Sequence, residues 1–346
     1  MTSHKKPKSP VRGRRGVGRG KRVSRHGSPI LTQWSDIRDL SDSFGEAYKR
    51  YFKPETLASA VDYMLQQNND RFILPTVQQK LGPAPITSLH FKLAQETRQR
   101  IVFKMRAGNA RKKLTNFAFV VSKKPLQDST LIAEEHAILQ TLHKRNSRQV
   151  LQTWRGGTVF LPDRYRRADK GREIYCYLAE WLPGFEPLGL NKEAQCVLYT
   201  DTRKALSKVE TEHIKESILE IMLRTYDAKQ QNMMALPDIP GGDFLIKRAP
   251  NSKPQVKLVA ARKLFERAKP GAVLSSLLSA SWDCGEQVFQ LAPADPTKLQ
   301  ETIAQALGPD AAEAWIRDLL RFVARSRKTT IQAEYLQALM LSSGMQ

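Results

Sequence analysis

The stretch that most constrains this chain runs from residue 211 to 264, opening TEHIKESILEIMLRTYDAKQQNMM and closing QVKLVAARKL. In its first half Ile214, Ile218, Ile221 and Met222 recur at three- and four-residue spacing, with Glu212, Lys215, Glu216 and Glu220 between them. That spacing predicts an amphipathic helix. It gives out at Tyr226-Asp227-Ala228-Lys229-Gln230-Gln231-Asn232, a polar run. Apolar segments follow at Met233–Leu236, Phe244–Ile246 and Val256–Ala260, and Ala249-Pro250-Asn251-Ser252-Lys253-Pro254 joins the last two with turn chemistry. The second half therefore reads as a short hairpin.

Upstream, residues 30 to 80 read as helical and connecting, with Leu40, Phe44, Ala47, Tyr48 and Tyr51 on one face and a second helix over Glu55 to Gln67. From Ile86 the period changes. Segments 88–94, 100–105 and 116–124 alternate as strands do, which predicts an antiparallel sheet. Ser129 to Leu142 reads as a helix with Ile132, His136, Leu139 and Leu142 on one face. Segments 159–161 and 174–180 add two strands, and the chain then leaves the sheet through Trp181-Leu182-Pro183-Gly184. Residues 270 to 346 read as helices throughout.

Three strands, a helix, two strands and a Pro-Gly exit, followed by helix, polar loop and hairpin, resemble the protein-kinase-like superfamily over about residues 86 to 265. The chain looks most like aminoglycoside phosphotransferases and lipopolysaccharide core kinases, whose hinge often reads acid-aromatic-apolar-x-Gly, as Glu180-Trp181-Leu182-Pro183-Gly184 does. The resemblance implies a two-lobed α+β fold. Its parts would be a basic arm (1–29), a helical segment (30–85), an antiparallel N-lobe (86–183) and a mainly helical C-lobe (184–346). It also implies ATP and Mg2+ as cofactors and phosphoryl transfer to a hydroxyl. Asp227-Ala228-Lys229-Gln230-Gln231-Asn232 repeats the family's Asp-x-Lys-x-x-Asn spacing. Asp227 would then be the base, Lys229 would steady the phosphoryl group, and Asn232 would help hold the metal. The phosphate-binding lysine would be Lys123 or Lys124, with Lys123 favoured by alternation with Phe117, Phe119 and Val121. Its carboxylate partner would be Glu134 or Glu135, and Glu180 would stand at the nucleotide-binding hinge.

Two departures weigh against an active enzyme. The first two strands are joined by Gln95-Glu96-Thr97-Arg98-Gln99, with no glycine to let backbone amides approach a phosphate. Where the family ends the hairpin with a metal-binding Asp, this chain has Leu258-Val259-Ala260. Asp243, at the other end of the hairpin, is the remaining metal-ligand candidate. The alternative reading is a pseudokinase or regulatory protein.

Composition decides what such a protein would meet. Residues 1–27 carry ten Lys or Arg and no acid, of a net charge of +22 for the whole chain. This Gly- and Arg-rich arm cannot fold by burial and suits a polyanion: nucleic acid, an acidic protein or an anionic lipid headgroup. The arm has no aromatic residue for base stacking. No apolar run reaches membrane-span length. Cys176, Cys196 and Cys284 are odd in number and lack metal-ligand spacing, as in a reducing compartment. A cytoplasmic protein is expected.

Overall fold

The computed structural model describes residues 30–35, 54–66, 70–97, 99–124, 127–161, 173–191, 197–200, 205–237, 242–248, 252–284, 287–326 and 331–342. Strands β2 (Ile86–Glu96), β3 (Arg100–Asn109) and β4 (Leu114–Ser122) form an antiparallel meander. Alternation sorts their side chains to two faces. Phe117, Phe119 and Val121 of β4 join one apolar cluster, while Ala118 and Val120 join another. Helix α3 (Gln127–Arg145) follows, then β5 (Thr153–Phe160) and β6 (Glu173–Glu180), which close the sheet in the order β1-β2-β3-β4-β6-β5.

The edge strand β1 (Leu31–Ser35) runs parallel to β2. This corrects the helical reading of that part of residues 30–80, and the reason is tertiary: Trp34 stacks on Phe91 at 4.1 Å and meets the edge of Phe103 at 5.4 Å. The expected helix around Leu40 to Tyr51 lies outside the described residues. Helices α1 (Pro54–Gln66) and α2 (Ile73–Leu81) supply Leu57, Val61, Ile73 and Val77 to the cluster on the Phe117 face. Asp70 caps α2, its carboxylate accepting from the backbone N–H groups of Phe72, Ile73 and Leu74. Helix α3 supplies Ile132 to the other face.

The chain crosses out of this sheet at Trp181–Phe185, where Gly184 takes φ +75°, a left-handed conformation that suits glycine. Strand β7 (Glu186–Asn191) then opens a second sheet with β8 (Val197–Thr200), β10 (Phe244–Lys247) and β11 (Gln255–Leu258), ordered β11-β10-β7-β8. Helix α4 (Lys208–Thr225) begins with a capping box between Ser207 and Glu210 and buries Ile214, Ile218, Ile221 and Met222, the face expected from the sequence. Two-residue strands β9 (Met233–Met234) and β12 (Leu264–Phe265) pair beyond it.

Helix α5 (Pro270–Leu278), α6 (Pro296–Leu307), α7 (Pro309–Arg325) and α8 (Ala333–Ser342) build the rest. The expectation of helices alone fails at the hairpin β13 (Ser281–Cys284)–β14 (Gln287–Gln290), where Trp282 faces Phe289 across the strands. A six-stranded sheet lobe followed by a mostly helical lobe makes this a two-lobed α+β fold. Among the described residues no helix is long and apolar enough to cross a membrane.

Candidate functional site

Where β6 passes into β7, a cavity of about 250 Å³ opens between the two sheets. Its roof is the cleft face of the large sheet, Ala94, Val102, Ala118 and Val120, and its floor is Leu245 and Val259. Trp181, Leu182 and Phe185 of the crossing segment close one side. Apolar walls facing one another suit a flat ring. Lys104 Nζ lies 5.1 Å from the Trp181 ring centroid, a cation over the outer rim.

The inner end is polar. Arg100, the first residue of β3, lines the cavity and is 7% exposed. Its Nη1 donates to both carboxylate oxygens of Glu135 on α3, at 2.8 and 2.9 Å. The Tyr177 hydroxyl donates to Glu135 Oε1 at 2.9 Å. Burial alone would lower the Arg100 pKa, but Glu135 outweighs it and holds the guanidinium charged. Burial, and then the Glu135 charge, push the Tyr177 phenol well above its ordinary value. Behind this pair His136 stacks on Tyr177 at 4.6 Å. Its Nδ1 is 2.8 Å from the Tyr175 hydroxyl and its Nε2 2.6 Å from the Trp154 carbonyl. Nε2–H donating to that carbonyl, with Nδ1 accepting from Tyr175, satisfies both contacts. Burial lowers the His136 pKa, partly offset by the Trp154 carbonyl.

The site residues expected from the sequence fall into three groups. Glu135, Glu180 and Asp243 stand at or beside the cleft. Glu135 is buried and Glu134 exposed, which decides between them. Glu180 lines the cavity, its carboxylate taking the Gln152 N–H at 3.0 Å and Lys257 Nζ at 2.8 Å. Asp243 is 2% exposed, meets Arg262 at 3.3 Å, and its charge bears on Arg100. Its carbonyl accepts from the Val259 N–H, at the open end of the β10–β11 hairpin.

Lys123 and Lys124 form the second group. Lys123 is buried and Lys124 exposed. The expected pairing of Lys123 with Glu134 or Glu135 is corrected: Lys123 Nζ meets Glu96 at 2.7 Å. Glu96 stands opposite Ile101, and Ile101 opposite Val121, on the face turned from the cavity. The alternation that joined Lys123 to Phe119 and Val121 takes it to the wrong face for a cleft lysine. The cavity side of β4 offers Val120, and the cation comes from the neighbouring strand as Arg100.

Asp227, Lys229 and Asn232 are the third group, and none of them lines the cavity. Asp227 and Asn232 close a turn through two backbone hydrogen bonds, Asp227 N–H to Asn232 O at 2.8 Å and its reverse at 3.3 Å. The Asp227 carboxylate accepts from the Gln230 and Lys229 N–H groups and from Arg145 at the end of α3, at 2.6 Å. The Gln230 and Lys229 N–H groups, with Arg145, hold its pKa low. The Asp-x-Lys-x-x-Asn spacing here is turn chemistry that ties α3 to the end of α4.

Of the expected magnesium ligands, Asn232 and Asp243 sit on separate turns, with Asn232 Oδ1 buried and without a hydrogen-bond partner. Ala260 has no side-chain oxygen, and no group of three or more His, Cys, Asp and Glu is gathered among the described residues. An aromatic base fits the cavity walls. The cation at the inner end is held by Glu135 through Nη1.

No family model and no curated protein matches the chain. Among solved structures an apo pseudokinase is similar at 11% identity with a TM-score of 0.26, over 73% of this chain and 91% of that one.

Proposed function

We propose that this chain is a kinase-like protein working as a binding scaffold, a pseudokinase, with an N-lobe over 86–183 and a C-lobe over 184–346. Its basic arm and surface hold an anionic partner. One observation carries the reading. Asp227, Lys229 and Asn232, which the resemblance casts as base, phosphoryl-steadying lysine and metal ligand, do not line the cavity between the sheets, whose buried cation Arg100 is braced by Glu135 with Tyr177 as a third member. A buried ion pair of this kind holds its geometry because either charge alone would be costly. Of the two expected metal ligands, Asp243 alone stands beside the cleft.

The test is a thermal-shift titration with ATP, with and without magnesium, alongside an assay for γ-phosphoryl transfer. No magnesium-dependent shift and no transfer are expected. A magnesium-dependent shift that disappears in Asp243→Asn would overturn the scaffold reading.

That outcome would favour ATP-dependent phosphotransfer instead, for which the buried carboxylate of Asp243 beside Arg100 is the supporting observation. Asp243→Asn would then abolish transfer while leaving the fold intact.

A further inference from the structure

The turn joining β3 to β4 stands at the end of the sheet away from Arg100, and it carries Arg111, Lys112 and Lys113, all exposed. Asn109, 4% exposed, organises it. Its side-chain oxygen accepts from the N–H groups of Arg111 (3.1 Å) and Lys113 (3.0 Å), and its amide donates to the Leu81 carbonyl at 3.2 Å. Lys112 takes φ +60° at the tip. Three successive cations are thus held in one shape rather than averaged over many.

More cations flank the turn on both sides of the sheet. On the helix-covered side is Lys80 of α2, whose carbonyl accepts from Lys113 Nζ at 3.2 Å and whose own Nζ lies 4.7 Å from the Trp154 ring centroid. On the cleft side are Arg106, exposed, and Lys104 two residues before it. Arg106, Arg111 and Lys112 have no carboxylate partner among the described residues.

The basic arm enters the fold at the same place. Leu31 pairs with Ser88, and Ser88 with Gly108. Leu31, at the start of β1, is therefore two strand spacings, about 10 Å, from the base of the turn. Six of the arm's ten cations are arginine, whose planar fork matches phosphate oxygens. At full extension 29 residues reach at most about 100 Å.

We propose that this basic rim, the β3–β4 turn with Lys80 and Arg106 on either side, is a docking surface for duplex nucleic acid, held through its phosphates. The shape selects the partner. A projecting turn with cations on both flanks meets phosphates on two sides at once, as the walls of a groove present them, and the major groove admits a two-stranded β-ribbon. A flat lipid surface would touch one flank only. Contact by base stacking is disfavoured, since the arm has no aromatic side chain and Lys80 covers the Trp154 ring. The inference rests on the anionic-partner reading above and narrows it to one partner and one place.

The experiment is fluorescence anisotropy of the full chain with a mixed-sequence duplex DNA of about 20 base pairs, across about 50–200 mM salt. Arg111→Glu/Lys113→Glu is expected to weaken binding more than tenfold and to reduce the log–log salt slope by about 2, near 0.9 for each phosphate no longer neutralised. A charge-matched control, Arg317→Glu/Arg321→Glu on exposed positions of α7, should bind like the parent. The neutral pair Arg111→Gln/Lys113→Gln should lose less, with the melting temperature of all variants unchanged. Parent-like binding by the rim variant, or equal loss in the α7 control, would overturn the proposal. Capture by phosphatidylserine vesicles that depends on Arg111 and Lys113, with no duplex binding, would overturn it too, while leaving the broader anionic-partner reading standing.

Discussion

The two ends of β3 use positive charge in opposite ways. At its start Arg100 is buried beneath Glu135 and Tyr177, bonded twice to one carboxylate. Past its end, Arg111 and Lys112 stand in solvent with no carboxylate among the described residues. A buried charge must be matched within the fold or it destabilises it. An exposed charge is stabilised by water and ions that a polyanion can displace. The residue type is nearly the same at both ends. Burial decides which becomes architecture and which becomes surface.

The largest effect should come from breaking the matched end. Glu135→Ala leaves Arg100 buried without its partner and should cost about 3–5 kcal/mol in urea unfolding. The double change Arg100→Met/Glu135→Leu, which removes both charges together, should recover most of that loss. A double variant as unstable as the single one would mean that the pair is not the unit.

A smaller effect should follow from unmaking the support of the exposed end. Asn109→Ala frees two backbone N–H groups and the Leu81 carbonyl, for a loss of about 1–3 kcal/mol by the same measurement. It leaves every cation in place. Duplex affinity should therefore fall while the salt slope stays that of the parent, the reverse of the pattern for Arg111→Glu/Lys113→Glu.

Next in size is a pH effect at the back of the cleft. The His136 pKa is lowered on folding from 6.5, so the unfolded chain binds more protons below that pH. Stability from this group is complete above about 6.5 and is lost as pH falls through the folded value. Melting temperatures measured from pH 7.5 downward should show that decline, and His136→Gln should flatten it. An unchanged decline would assign it to other groups.

The smallest effect is expected at Asp227. Its lowered pKa stabilises the fold above the ordinary carboxylate range and is lost as pH falls. Asp227→Asn should move the melting temperature at neutral pH only slightly, because the carboxylate–Arg145 pair is half-exposed and screened. It should also leave duplex binding unaltered. A large loss of either would return this loop to the functional site.

Periodicity alone carried much of the architecture. The face of α4 with Ile214 and Ile218, the meander of β2 to β4, the helix that follows and the exit at Gly184 were legible because repeats of two and of 3.6 residues reflect local geometry. The β13–β14 hairpin and β1 were not, since each depends on an aromatic partner supplied across the sheet, Phe289 for Trp282 and Phe91 for Trp34.

The candidate site divides along the same line. That Lys123, Lys124, Glu134 and Glu135 are charged neighbours is written in the chain; which of them turns inward, and which face of the sheet bounds the cavity, is not. Alternation relates a residue to its neighbours but carries no label for the side on which the second lobe will pack. Packing placed the cleft against Ala118 and Val120, so Lys123 fell to Glu96 and Arg100 took the inner end. The turn cations are the opposite case. Arg111, Lys112 and Lys113 could be counted in the sequence, but their common shape required Asn109 to be buried beneath them. Their nearness to the arm required β1 to pair beside β2. Composition fixed how much charge the chain carries, and long-range contacts fixed where that charge stands and whether it is free.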